Sequence, residues 1–242
     1  MTDNSFLTAD WRYLAMLNYE IDPTLLSRRA PGGTELDFWE GKTFVSIVGF
    51  LFLNTKVLGW SVPFHRDFEE VNLRFYVRRK GPEGWRRGVA FIKEIVPRWA
   101  IAAVANLVYN ENYSALPMRH AISPLSTASG LDRVIEYAWQ FRGQWNRLQV
   151  KPLGEPQDLV PGSQEAFIAE HYWGYVAQRD GGCVEYKVEH PSWRVWRATE
   201  SVLECDIAAL YGQEFVGGIS ARPSSAFVAE GSSIIVTKGI RV

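Results

Sequence analysis

The chain has 242 residues, 47% of them hydrophobic and 14% aromatic, and its 26 basic and 27 acidic side chains leave a net charge of −1. Such a composition supplies a large core and lacks the positive balance that draws nucleic acid or anionic membranes, so neither partner is expected. Cys183 and Cys205 are the two cysteines; they make no disulfide framework, and reduced thiols in a soluble, cytoplasmic protein are the expectation.

The opening stretch MTDNSFLTADWRYL lacks the basic start and apolar run of a signal peptide. The longest apolar stretch, around Phe44 to Leu53, is too short and interrupted to span a membrane. Trp11 to Ile21 fits a helix by propensity or a strand by its aromatics, and periodicity does not decide between them; a strand is the preferred reading. Asp22 as N-cap and Pro23 in the first helical position open a short helix through Leu26 to Arg29, which Pro31-Gly32-Gly33 stops. Strands over Thr34–Trp39 and Thr43–Asn54 flank a turn at Glu40-Gly41. The second is apolar on both faces and should be central and buried. Phe64 to Pro97 reads as a hairpin turning at Gly81-Pro82-Glu83-Gly84. Pro97 to Asn106 is Ala-rich and predicts a helix; Ser123 to Gly130 predicts a loop. Arg133 to Val150 is a strand pair broken at Gly143, and Lys151 to Gly162 an exposed connection. Ser163 caps a helix predicted through Tyr175. Strands follow over Cys183–His190 and Trp193–Ser201, then a short helix over Asp206–Tyr211 ended by Gly212. Two or three last strands lie within Phe215–Val242. We find no internal repeat and expect one domain over residues 1–242. The class is α+β, mostly β: an antiparallel, barrel-like sheet with a few short helices.

Chemistry concentrates on the hairpin. Side chains alternate faces along a strand, so Val71, Leu73, Phe75 and Val77 point one way and Glu70, Asn72, Arg74, Tyr76 and Arg78 the other. If the sheet curls, that second face lines a pocket. Arg74 could then clamp a carboxylate, with Asn72 and Tyr76 adding hydrogen bonds and Glu70 acting as general acid or base. A turn centred between Pro82 and Glu83 pairs Lys93 with Asn72; a one-residue slip puts Glu94 and Ile92 there instead. A desolvated Lys93 could form a Schiff base, or simply be ion-paired. The basic clusters Arg78-Arg79-Lys80 and Arg86-Arg87 flank the turn as a solvated tip. His65, His120, His171 and His190 have no zinc spacing, and neither a G-x-S-x-G elbow nor a Gly-rich phosphate loop occurs. No metal or cofactor is expected. His190, between Glu189 and Pro191, either holds a strand end or transfers protons.

Four spaced motifs resemble the bacterial family called domain of unknown function 2071. They are Phe68-x-Glu70-x-Asn72-Leu73-Arg74-x-Tyr76-Val77, Gly88-Val89-x-Phe91, Phe167-x-x-Glu170-x-Tyr172-x-x-Tyr175 and Val188-Glu189-His190-Pro191-x-Trp193. The resemblance runs from Trp11 to about Trp196. It implies a fold similar to acetoacetate decarboxylases, an antiparallel barrel-like sheet around a small-molecule pocket, with the Glu70/Asn72/Arg74 face inward. Those decarboxylases use a pair of lysines just after the helix that follows the hairpin. The comparable stretch here, Asn110-Glu111-Asn112-Tyr113, has no Lys, and Asn106 stands where an Arg is expected. The expectation is therefore a pocket for a small carboxylate ligand, with Asn72, Arg74, Tyr76, Lys93 and Tyr113 as contacts. The alternative is a lyase without a Schiff base, using Glu70, Glu111 or His190 for proton transfer. A homo-oligomer stays open.

Overall fold

The computed structural model describes residues 4–61, 63–98, 112–123 and 133–242. The first half contains β1 (Ser5–Ile21), α1 (Pro23–Ser27), β2 (Glu35–Leu36), β3 (Thr43–Val57), β4 (Phe68–Gly81), β5 (Gly84–Val96), β6 (Tyr113–Ala115) and β7 (Met118–Ile122). Then come β8 (Ile135–Phe141), β9 (Gln144–Gln157), α2 (Gln164–Ala169), β10 (Trp173–Ala177), β11 (Cys183–Glu189) and β12 (Val195–Glu204). The short helices α3 (Ile207–Tyr211) and α4 (Val216–Ile219), with the 3-10 turn Gln213–Phe215 between them, precede β13 (Ser225–Thr237) and β14 (Ile240–Arg241). Local rules hold at the caps. Asp22 accepts from the Thr24 amide, Ser163 from that of Ala166 and Asp206 from that of Ala209, each satisfying a donor the helix leaves free.

All strands join one sheet, and the sheet closes. The order β11–β10–β5–β4–β3–β1–β13 returns to β11, because Val188 pairs with Val236 and Glu189 with Ile235. The fold is thus mostly β, with a barrel-like ring of strands. Past β13 the strands β12, β9, β8 and β7 continue the sheet and fold back over the ring. A Cβ on Gly49 of β3 would lie 2.6 Å from Tyr137 of β8, so the two layers touch there. This explains why β3 is apolar on both faces. One cluster, with Leu17, Val45, Ile47, Leu73, Phe75, Tyr137 and Leu148, fills the space between the layers. The other, with Met16, Val48, Phe50, Phe68, Tyr76, Phe167 and Trp193, lies on the inner side.

Several expectations are corrected. Two pairings are parallel, β10 with β5 and β6 with β5. The strand expected over Thr34–Trp39 shrinks to β2 and a bridge from Trp39 to Lys42 around the Glu40-Gly41 turn. The predicted connection after Lys151 is strand to Gln157, because β9 pairs with β12 that far. The helix from Ser163 stops at Ala169, where the aromatic and β-branched stretch from Trp173 pairs with β11 and β5 instead, tertiary pairing overriding local propensity. The helix over Pro97–Asn106 and the loop over Ser123–Gly130 lie almost wholly outside the described residues. Of the basic residues at the hairpin Lys80 is exposed as expected of a tip, but the four arginines are ion-paired. Arg79 and Arg86 pair with the fully buried Glu185, Arg87 with Asp37 and Arg78 with Glu35. Cys183 and Cys205 are free thiols. Among the described residues no helix is long and apolar enough to cross a membrane.

Candidate functional site

The ring encloses a cavity of about 330 Å³, and every ring strand contributes to its wall, from Leu14 on β1 to Val236 on β13. Along β4 the predicted alternation holds. Val71, Leu73, Phe75 and Val77 face the second layer, whereas Glu70, Asn72 and Arg74 line the cavity. All three are buried, with Arg74 9% exposed and Asn72 2%.

Four hydrogen bonds define this polar corner. Asn72 donates Nδ2 to Glu70 Oε1 at 3.0 Å, and the Tyr113 hydroxyl donates to Glu70 Oε2 at 3.3 Å. Among the described residues Arg74 Nη2 reaches only the Ile168 carbonyl, at 3.4 Å, and the Met16 sulfur, at 3.9 Å. Ile168 belongs to the last turn of α2, whose carbonyls lack helical partners and attract a cation. Arg74 Nε and Asn72 Oδ1 are buried without a hydrogen-bond partner among the described residues. No carboxylate lies within 4.0 Å of the Arg74 guanidinium among those residues, although Glu70 is near enough for its charge to be felt. Burial pushes the Glu70 carboxyl up to about 7, against the hydrogen bonds from Asn72 and Tyr113 and the charge of Arg74.

Lys93 is corrected. The turn sits where predicted, with Gly81 opposite Gly84 and Arg74 opposite Phe91, but a bulge then leaves Ile92 extra. Beyond it Lys93 pairs with Leu73, and Glu94 with Asn72. One added residue reverses which side chains face in. Glu94 therefore lines the cavity, while half-buried Lys93 lies on the other face, where burial lowers its amine's proton affinity. The chain's lysines are Lys42, Lys56, Lys80, Lys93, Lys151, Lys187 and Lys238; none lines the cavity. Tyr76 is also moved. It lies on the inner side but is not among the residues lining the cavity; its hydroxyl meets Ser46 Oγ and its ring lies 5.7 Å from the Arg74 guanidinium. His190 lines the cavity, its Nδ1 donating to the Pro191 carbonyl at 2.8 Å and its ring stacked on Trp193 at 4.0 Å. Tyr113 lines the cavity as expected. Glu111 lies outside the described residues.

Sequence reasoning passed over His171. It lines the cavity, donates Nε2 to Asp37 at 3.1 Å, and packs against Tyr76 and Phe167 at 4.7 and 5.0 Å. Arg87 holds the same Asp37 oxygen at 2.6 Å. Burial drives the His171 imidazole down to about 4 despite Asp37, and the charges of Arg87 and Arg74 push the same way, so it is neutral at pH 7. Burial raises Asp37, but the His171 and Arg87 hydrogen bonds outweigh it and leave its carboxyl below the usual range. The signal was present: His171 sits inside the motif running from Phe167 to Tyr175. That motif and the His-Pro-x-Trp stretch form one piece of wall, since Ser192 Oγ donates to Glu170 at 2.7 Å and Tyr172 packs 4.6 Å from His190.

The fold is that of acetoacetate decarboxylase-like proteins. The acetoacetate decarboxylase of Legionella pneumophila superposes with a TM-score of 0.67 at 14% identity, over 98% of this chain and 87% of that one. The enduracididine biosynthesis enzyme MppR with bound HEPES buffer gives 0.70 at 12% identity, over 100% and 89% of the two chains. An acetoacetate decarboxylase-like enzyme of Sphingomonas wittichii RW1 gives 0.66 at 12%, over 98% and 93%. The sequence belongs to the DUF2071 family, described as an uncharacterized conserved protein, whose family model matches residues 8–233. Uncharacterized protein YqjF of Bacillus subtilis (strain 168) is 32% identical over 75 residues, a match spanning 31% of each chain.

Proposed function

We propose that the cavity binds a small organic acid, its carboxylate received by Arg74 with Asn72 beside it. One observation carries this reading. Arg74 is a buried cation with no carboxylate within 4.0 Å among the described residues and with an unpartnered Nε, and an uncompensated buried charge is costly. A ligand carboxylate would offer the planar acceptor pair that a guanidinium fits. A solved structure of MppR holds pyruvate, an acid in a protein of like fold, which is in keeping with the reading. Lysine imine chemistry receives no support, because no lysine lines the cavity.

A second reading, a lyase without a Schiff base, rests on Glu70. Its carboxyl titrates at about 7, borders the cavity and neighbours Arg74, which suits a proton-transfer group at neutral pH. Calorimetric titration with a panel of mono- and oxo-carboxylates tests both. Arg74→Met is expected to weaken the best ligand at least about tenfold, the scale of a charged hydrogen bond. Unchanged affinity in Arg74→Met would contradict the binding site. Glu70→Gln keeps affinity in either reading, but abolishes turnover of that ligand only if the protein is an enzyme.

A further inference from the structure

The polar corner occupies a small part of the cavity. Glu70, Asn72, Arg74, Glu94 and Tyr113 gather on β4, β5 and β6, whereas the remaining wall is dominated by Trp11, Phe50, Phe52, Phe91, Val188 and Trp193. Those rings support one another: Trp11 meets Phe50 edge-on at 5.2 Å, Phe52 at 5.6 Å and Trp193 at 6.3 Å. Trp193 gives its Nε1 hydrogen to Ser232 Oγ at 2.9 Å, so that polar atom is already occupied. At ~30 Å³ for each water-sized group, the 330 Å³ holds on the order of ten non-hydrogen atoms. An acid of two or three carbons held at Arg74 would leave most of the apolar wall uncovered. Arg74 is also the only Arg or Lys among the described residues that line the cavity, so a second ligand carboxylate would find no second guanidinium or ammonium there. Exposed apolar side chains also adjoin the cavity wall. Val57 and His65 line the wall, and the connection between them exposes Leu58, Trp60 and Phe64 at 63%, 79% and 88%.

We infer that the ligand is an amphiphilic monocarboxylic acid, with its carboxylate at Arg74 and an apolar body of roughly seven or eight carbons against the aromatic half. This rests on the Arg74 reading and adds the size and polarity of what is bound. Two bodies share the chemistry, an alkyl chain and an aryl ring on a short chain, and the probes separate them.

The test is calorimetric titration of wild type and Arg74→Met with acetate, octanoate, 3-phenylpropionate, octanedioate and 1-octanol. Full burial tightens binding roughly fourfold per methylene. Octanoate or 3-phenylpropionate is therefore expected to bind at least on the order of a hundredfold tighter than acetate, and the tighter of the two identifies the body. Each is also expected to bind tighter than octanedioate and 1-octanol, with the advantage over the alcohol lost in Arg74→Met. Acetate as tight as octanoate, with both lost in Arg74→Met, overturns this inference and leaves the Arg74 reading standing. Octanedioate as tight as octanoate likewise overturns the single-acid inference alone. Octanoate no tighter than 1-octanol overturns both, as does no binding by any probe. If Arg74→Met does not fold, the wild-type series still decides, because the alcohol and the diacid test the carboxylate and the wall without a mutation.

Discussion

Glu70 and His171 are two buried titratable groups on one cavity wall, and burial moves them in opposite directions. The Glu70 carboxyl titrates at about 7 in the folded protein against 4.5 for an ordinary Glu. As pH rises between these values the unfolded chain loses its proton first, so Glu70 costs increasing stability until the folded group ionises too. Glu70→Gln should gain stability relative to wild type from pH 4.5 to about 7 and hold a constant difference above. His171 runs the other way, its folded value near 4 against 6.5 unfolded. As pH falls from 6.5 to 4 the unfolded chain takes the proton first and wild-type stability is lost. His171→Gln should gain relative to wild type over that interval. Urea denaturation across pH 4 to 8.5 reads both slopes, and parallel curves for wild type and either variant would contradict the burial of that group. At this scale the alternation of Glu70, Asn72 and Arg74 was legible, because strand periodicity is local. His171 was not, because its burial beside Asp37 and Arg87, 134 and 84 positions upstream, arises only on folding.

The hairpin β4–β5 shows how one element can be right in outline and still mislead. The turn and both strands follow from Gly81, Pro82, Gly84 and the alternating residues. The bulge at Ile92 carries no turn residue to announce it, yet it exchanges Lys93 for Glu94 at the cavity. Chemistry that depends on a strand lysine is thereby replaced by a second inward carboxyl. The parallel seam between β5 and β10 was equally hidden. Gly88 makes it possible: a Cβ there would sit 2.5 Å from the Trp173 carbonyl oxygen and 2.6 Å from the Tyr175 ring. Gly88→Ala should lose about 1–3 kcal/mol, the usual cost of overpacking. Gly217→Ala in α4, where no atom lies within 4 Å of the new Cβ, should be neutral or stabilising by up to ~1 kcal/mol. Urea unfolding of both variants compares them. Equal effects would contradict close contact at the seam.

Over the whole molecule, sheet closure makes a polar strand face into an interior. The residues of Glu70–Arg74 would be ordinary surface polarity on an open sheet. They become part of a cavity wall because β11 returns to β13 and because β12, β9, β8 and β7 cover the ring's other face. The predominance of strands and the apolar β3 were readable from composition and pattern, whereas β6, β7 and β10 were not anticipated. The barrel-like class was readable from the hairpin-like strand spacing, but its closing pairs were not, because they join residues such as Val188 and Val236, and pairings that distant leave no periodic trace in the chain. The shared DUF2071 membership and the decarboxylase-like fold agree with that architecture, while the contents of the cavity are set by this chain's own side chains. The most direct test of the account is a crystal structure with octanoate bound. We predict its carboxylate within hydrogen-bond distance of the Arg74 guanidinium and its chain against Trp11 and Trp193. A carboxylate bound elsewhere, with Arg74 left on the Ile168 carbonyl alone, would contradict the account.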